Sequence, residues 1–188
     1  MRLPCTLVPF KGIYFKLRPE RAHLVRANIY PVPDVNQPFL GVHLTRAANG
    51  DVYAGPTAIP ALGRENYGIL QGAQLGESLR VGFEISRMYL ANQQNFRQLM
   101  HTELAKYRKK NFYEAVRKLM PELTYDDLVS SDKVGICPQL INVREKRLEM
   151  DYVIEKSPDS LHVLNAISPA FTSSLAFAEW LVDQSQTV

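Results

Sequence analysis

Asn49-Gly50 lies between the runs Leu40–Ala47 and Val52–Gly55 and is the strongest short hairpin signal in the chain. Asparagine tolerates left-handed backbone and glycine adopts it freely, so this dipeptide lets two strands reverse directly onto each other. The segment therefore points to an antiparallel sheet. Around it the pattern is β-rich, then helical, then β-rich, then one helix. Thr6–Leu17 and Ala22–Tyr30 read as two strands joined by a turn at Arg18-Pro19-Glu20-Arg21. Pro31-Val32-Pro33-Asp34 is expected to be extended, because each proline fixes its own φ and restricts the residue before it. Gly55–Gly68 carries several Gly and Pro residues and reads as loop.

From about Glu77 to Leu119 the apolar spacing becomes helical: Phe96, Leu99, Met100, Leu104 and Tyr107, then Phe112, Ala115, Val116 and Leu119. Pro121 ends this run, and Thr124-Tyr125-Asp126-Asp127 resembles a capping box that would open a short helix to about Ser130. Lys133–Val143 and Glu149–Lys156 read as an antiparallel pair turning at Arg144–Arg147, and Leu161–Ile167 as a further strand. Ser168 can then cap a helix with Pro169 at its first position, where a missing N–H costs nothing, and Phe171, Leu175, Ala178 and Val182 continue at helical spacing. The expected fold is α+β: one domain over 1–188, a mainly antiparallel mixed sheet, a helical insert at about 77–131, and a strand–helix junction at about 161–185.

Composition excludes several function classes. A net charge of +3 over 188 residues is mild, and the basic residues Lys106, Arg108, Lys109, Lys110, Arg117 and Lys118 cluster on a helical segment rather than alternating with aromatics on one sheet face. No nucleic-acid partner is expected. The basic cluster reads first as a solvated face over an apolar stripe, and second as a patch for peripheral contact with the inner membrane. Cys5 and Cys137 are the only cysteines and no Cys/His spacing suits zinc, so no metal is expected and a reducing, cytoplasmic setting is the default. No apolar run reaches eighteen residues. The small residues Ala170, Thr172, Ser173 and Ser174 at the start of the last helix would let an anionic or electron-rich group approach the N–H groups there.

Several segments in order carry a resemblance. Pro9-Phe10-Lys11-Gly12-Ile13-Tyr14, Asn28-Ile29-Tyr30-Pro31-Val32-Pro33-Asp34, Pro38-Phe39-Leu40-Gly41-Val42-His43-Leu44-Thr45-Arg46, Gly55-Pro56-Thr57-Ala58, Gly135-Ile136-Cys137-Pro138-Gln139-Leu140 and His162 through Thr172 resemble the substrate-side half of L-2-hydroxyglutarate oxidases and dehydrogenases. These belong to the FAD-dependent D-amino-acid-oxidase superfamily. The resemblance implies an FAD-dependent oxidoreductase acting on a small dicarboxylate, with L-2-hydroxyglutarate the first expectation and an amino acid the second. The ten glycines include no G-x-G-x-x-G spacing, the turn that admits a pyrophosphate. The sequence therefore resembles a C-terminal portion, truncated with respect to an N-terminal FAD-binding half. It is expected to bind no FAD tightly alone, to be inactive alone, and to self-associate through the surface its partner would cover. A domain that keeps the fold and has lost catalysis is the alternative.

The resemblance also assigns roles. His43 is the candidate base, since a neutral imidazole suits removal of a hydroxyl proton while hydride leaves for the flavin. By their own chemistry Lys11, Arg46 and Thr57 are candidates to hold the substrate carboxylates, and Tyr14 and Tyr30 to line the pocket; the alternatives are solvated strand charges for the two cations, a turn brace for Thr57 and packing for the tyrosines. Ser168, Pro169, Ala170, Phe171 and Thr172 would meet the flavin ring. Cys137 stands where the superfamily motif supplies an arginine. A thiol cannot replace a bidentate cation. Cys137 is expected to be buried and inert, with Arg144 or Arg147 as replacement cations.

Overall fold

The computed structural model describes residues 4–33, 39–167 and 171–186. The chain divides into two compact units, Val8–Pro138 and Met1–Leu7 with Gln139–Val188. The fold is α+β, and the strand pairs with a described register are all antiparallel.

In the larger unit, β1 (Cys5–Leu17) pairs with β3 (Val52–Gly55) and, nearer its start, with the short β4 (Ile59–Pro60). β3 in turn pairs with β2 (His43–Arg46), so the hairpin expected around Asn49-Gly50 is present. Gly50 sits at φ 88°, and its N–H donates to Ala47 O at 2.9 Å. The register places Phe15 opposite Ala54 and Leu44 opposite Ala54, whereas Lys16 faces Tyr53 and His43 faces Gly55. Side chains alternate across a strand. One sheet face therefore carries Phe15, Leu17, Leu44, Val52 and Ala54, and the other carries Tyr14, Lys16, His43, Thr45 and Tyr53.

The first face is the core. Leu17, Leu44, Val52 and Ala54 are fully buried together with Phe112 and Val116, and the Phe15 and Phe112 rings meet at 4.7 Å. Phe112 and Val116 project from α3 (Lys109–Leu119), whose basic residues Lys110, Arg117 and Lys118 remain exposed. The helical stretch contains two more helices, α1 (Leu75–Ala91) and α2 (Phe96–Ala105). α1 stops where Asn92, Gln94 and Asn95 take φ of 51°, 55° and 54°. Short amide side chains adopt this left-handed backbone more readily than most. The apolar period continues across the break, which is why the sequence alone reads one unbroken helical region.

Three further expectations are corrected in this unit. Ala22–Tyr30 is not a strand: Pro19–Leu24 forms a 3-10 helix, with Pro19 in its first turn, and only Ile29 bridges Leu44. The Arg21 side chain holds this turn in place by donating to Asp127 Oδ2 at 3.3 Å and Glu122 O at 3.0 Å. Thr124–Asp127 does form a capping box, but the turn it caps covers only Tyr125–Asp127, and β5 (Leu128–Asn142) follows at once. The Arg18 N–H bonds Asp127 O at 2.9 Å, which draws the chain into strand pairing instead of a helix to Ser130. The Gly55–Gly68 loop contains β4, which lies along β1.

In the smaller unit, the end of β5 pairs with the short β6 (Arg147–Leu148), not with Glu149–Lys156. Ile154–Ser157 (β7) pairs instead with Ser160–Val163 (β8) through the turn at Pro158-Asp159. A two-residue turn closes locally at little entropic cost, and this pairing replaces the longer Glu149–Lys156 partnership. Asn165 is buried and braces the next segment, accepting from Val153 N at 2.7 Å and donating to Asp151 O at 2.9 Å. α4 covers Ser174–Gln186. It begins later than a helix with Pro169 at its first position, and Phe171–Ser173 form a turn ahead of it. The stripe Phe171, Leu175 and Val182 is exposed; the helix anchors through Phe177, whose ring stacks on Tyr152 at 4.1 Å.

Candidate functional site

The second face of the larger unit's sheet concentrates polar and aromatic groups. Gly55 sits at its centre with φ 148°, and a Cβ there would lie 2.6 Å from Tyr14 Cδ1. The Tyr14 ring thus rests directly on bare backbone, a close approach that only glycine permits. Beside it, His43 stands opposite Gly55, and the Tyr30 ring packs on the imidazole at 4.7 Å. Tyr30 is half exposed, so the face opens to solvent. Burial raises the Tyr14 phenol above its ordinary pKa, which keeps it a hydrogen-bond donor at neutral pH.

His43 has a defined chemical state. Its Nδ1 lies 3.1 Å from Gly41 O. A carbonyl can only accept, so Nδ1 carries the hydrogen and Nε2 carries the free lone pair. Burial pushes the imidazole pKa below its ordinary value; the Gly41 contact works against this, and the charge on Lys133 adds to the lowering. The result is a half-buried, neutral imidazole at physiological pH, competent to accept a proton at Nε2.

Lys133, on β5, is a residue that sequence reasoning did not single out. Its ammonium lies 4.9 Å from the Tyr14 ring centre and 4.6 Å from that of Tyr53. Nothing in the local pattern Ser131-Asp132-Lys133 announces this. The signal is tertiary, because the two rings come from β1 and β3.

The remaining candidates lie elsewhere. Lys11 and Arg46 sit at odd spacing from Tyr14 and His43 along their strands, so alternation turns them to the opposite face. Lys11 is buried, and its ammonium donates to Asn66 Oδ1 at 3.2 Å and Gly68 O at 2.6 Å. Arg46 donates from Nη1 to Ala22 O and Val25 O, each at 3.0 Å, and ties the 3-10 turn to β2. Buried Thr57 accepts from Ile13 N at 3.0 Å and donates to Lys11 O at 3.3 Å. The structure thus brings His43, Tyr14 and Tyr30 together and does not bring Lys11, Arg46 or Thr57 to them. Cys137 is exposed rather than buried. Although the residue is exposed as a whole, its sulfur is partly shielded from water, and that shielding raises the thiol pKa instead of activating it. Arg147 is held by Glu145 and by Glu149 at 3.6 Å, and is not a free replacement cation. Ser168, Pro169 and Ala170 lie outside the described residues, while Phe171 and Thr172 are exposed ahead of α4. Among the described residues no cluster of His, Cys, Asp or Glu suits a metal ion, and no helix is long and apolar enough to cross a membrane.

Comparison with known proteins supplies the family. Residues 2–184 match the model of the FAD dependent oxidoreductase family. The chain belongs to that family. Among curated proteins, this family member is similar to an L-2-hydroxyglutarate dehydrogenase of Indibacter alkaliphilus, 38% identical over 95% of this chain and 45% of that protein. It is also similar to mitochondrial L-2-hydroxyglutarate dehydrogenases of Nematostella vectensis (39% identical, 95% of this chain, 40% of that protein) and Homo sapiens (34% identical, 96% and 39%). The chain thus spans less than half the length of the curated relatives it matches. The family cofactor is FAD; no glycine spacing in the sequence suits its pyrophosphate, and Phe171 and Thr172 are exposed ahead of α4.

Proposed function

We propose that this chain is the substrate-binding portion of an FAD-dependent 2-hydroxy-acid oxidoreductase that converts L-2-hydroxyglutarate to 2-oxoglutarate. Similarity to dehydrogenases of that name across 95% of the chain supports the substrate. The observation that carries the chemistry is His43, a neutral imidazole whose proton-accepting nitrogen is defined by the Gly41 contact.

In this reading bound FAD would supply the acceptor for the hydride from C2 of the hydroxy acid, and His43 Nε2 would receive the hydroxyl proton. Tyr14 and Tyr30 line the pocket on either side of the imidazole. Lys11, Arg46 and Thr57, engaged with backbone and Asn66 oxygens, hold the strands and loops that form this wall rather than the substrate. The glycine-rich pyrophosphate site belongs to a separate half. The exposed cations Arg108, Lys110, Arg117 and Lys118 provide a peripheral contact with anionic membrane.

Co-production with the flavin-binding portion of the Indibacter alkaliphilus relative tests the reading. The expected product is a yellow complex that reduces dichlorophenol-indophenol with L-2-hydroxyglutarate and loses that activity on His43→Gln substitution with its colour retained. A coloured complex with no turnover of any 2-hydroxy acid would mark a domain that keeps the fold without the catalysis, and would refute the proposal.

A further inference from the structure

With Lys11 and Arg46 turned to the opposite face, the sheet face around His43 still needs a cation for a carboxylate. Lys133 has the required position and state. It makes no ion pair among the described residues; the nearby carboxylate, Asp51, is taken by Lys16 at 2.7 Å. Two phenol rings hold the ammonium by their faces, with its centre 4.9 and 4.6 Å from theirs. A ring face attracts a cation without neutralising it, so the full charge remains available to an anion. Tyr14 and Tyr53 share their sheet face with His43, so the ammonium over those rings lies on the same face as the imidazole, whose pKa its charge lowers.

We propose that Lys133 is the anion anchor of this face: its ammonium, held over Tyr14 and Tyr53, binds a carboxylate of a small dicarboxylic acid and sets that acid against His43. The inference rests on the substrate-binding reading above and names the group that reading lacks. Lysine suits the task here because a point charge on a flexible stem accepts a carboxylate from several directions, while the two rings restrict its position. The same charge disfavours a second positive charge on His43, so a bound carboxylate would raise the imidazole's proton affinity as the acid arrives. Among the described residues, the titratable groups that share this face with His43 and Lys133 include Tyr14, Tyr30, Tyr53, the mutually paired Lys16 and Asp51 and, by alternation along β5, the Cys137 thiol.

The test uses the full chain and glutarate, a dicarboxylate without the reacting hydroxyl. NMR follows the His43 ring protons during glutarate titration and pH titration. Wild type should bind with an upward shift of the His43 pKa. Lys133→Ala should bind about tenfold or more weakly and show a raised His43 pKa without ligand; Lys133→Arg should restore both toward wild type. No glutarate response in wild type, or an equal response in Lys133→Ala, would overturn the proposal. In the complex with a flavin-binding portion, oxidation of L-2-hydroxyglutarate with an unchanged KM in Lys133→Ala would also overturn it while leaving the proposed function intact. Lys133-dependent glutarate binding without oxidation of any hydroxy acid would support the anchor and refute the function.

Discussion

Lys11 offers the sharpest separation between a structural and a substrate-binding cation. Its ammonium is buried and donates to two neutral oxygens, Asn66 Oδ1 and Gly68 O. Neither acceptor depends on it: Asn66 Oδ1 also accepts from Leu62 N at 3.0 Å, and Gly68 O also accepts from Asn66 Nδ2 at 3.1 Å. Lys11→Met keeps the stem, removes a desolvated charge and orphans nothing, so stability should stay within about 1 kcal/mol of wild type. Asn66→Leu is the contrast. That side chain makes bonds to Lys11, Leu62, Gly68, Ile69 and Gln71. At about 1 kcal/mol per bond, with partial rescue of the loop carbonyls by water, the loss should be about 3–5 kcal/mol. Burial also lowers the Lys11 pKa. Between that lowered value and the ordinary lysine value the unfolded chain binds more protons than the folded one, so Lys11 makes stability rise with pH across that alkaline window. Urea denaturation followed by far-UV circular dichroism at about pH 7 and about pH 9.5 reads both effects. Lys11→Met should flatten the alkaline rise. A loss of several kcal/mol in Lys11→Met, or a large loss of glutarate affinity, would refute the placement of this lysine.

Gly55→Ala should destabilise the larger unit by about 1–3 kcal/mol, because its φ of 148° disfavours any side chain and the new Cβ would meet Tyr14 at 2.6 Å; equal denaturation midpoints for the two proteins would count against the close approach. Phe112→Ala empties a fully buried site against Phe15 and should cost about 3–5 kcal/mol, read by the same urea transition. Asp127 is held below the usual carboxylate range: burial pushes its pKa up, and the Thr124 N–H, the Thr124 hydroxyl and Arg21 more than offset that. A depressed folded pKa contributes stability above the unfolded value that is lost as pH falls through the folded one. Asp127→Asn should therefore flatten the acid limb of stability, and an unchanged slope between about pH 5 and pH 2 would contradict the capping geometry.

The parts of the fold legible in the sequence are those where local chemistry and tertiary packing agree. Asn49-Gly50 reverses two alternating strands because the turn and the buried Leu44 and Val52 make the same demand. The helical stretch is legible for the same reason, since Phe96, Leu99, Phe112 and Val116 are all buried at their expected spacing. The misreadings arise where two local solutions are close in energy. Ala22–Tyr30 has apolar residues in a strand-like order, yet Pro19 and the Arg21 bonds to Asp127 and Glu122 favour a 3-10 turn. Those partners lie about a hundred residues further along the chain, beyond the reach of any local pattern.

The site is less legible, for a geometric reason that the sequence itself contains. A motif such as His43-Leu44-Thr45-Arg46 places a base and a cation close in sequence, and chemistry makes it natural to group them. In a strand, residues three apart point to opposite faces. Once Leu44 is taken as a core residue, Arg46 must share its side of the sheet, and His43 must leave it. The same parity separates Lys11 from Tyr14. Alternation alone is therefore enough to withdraw both cations from the face that carries His43. It is not enough to supply Lys133, because the even spacing that unites Tyr14 with Lys16 says nothing about which residue of β5 lies beside them. That choice depends on the register between strands more than a hundred residues apart in sequence. Strand parity thus decides which candidates are incompatible, while only long-range register decides which ones meet, and the carboxylate anchor of this face belongs to the second kind.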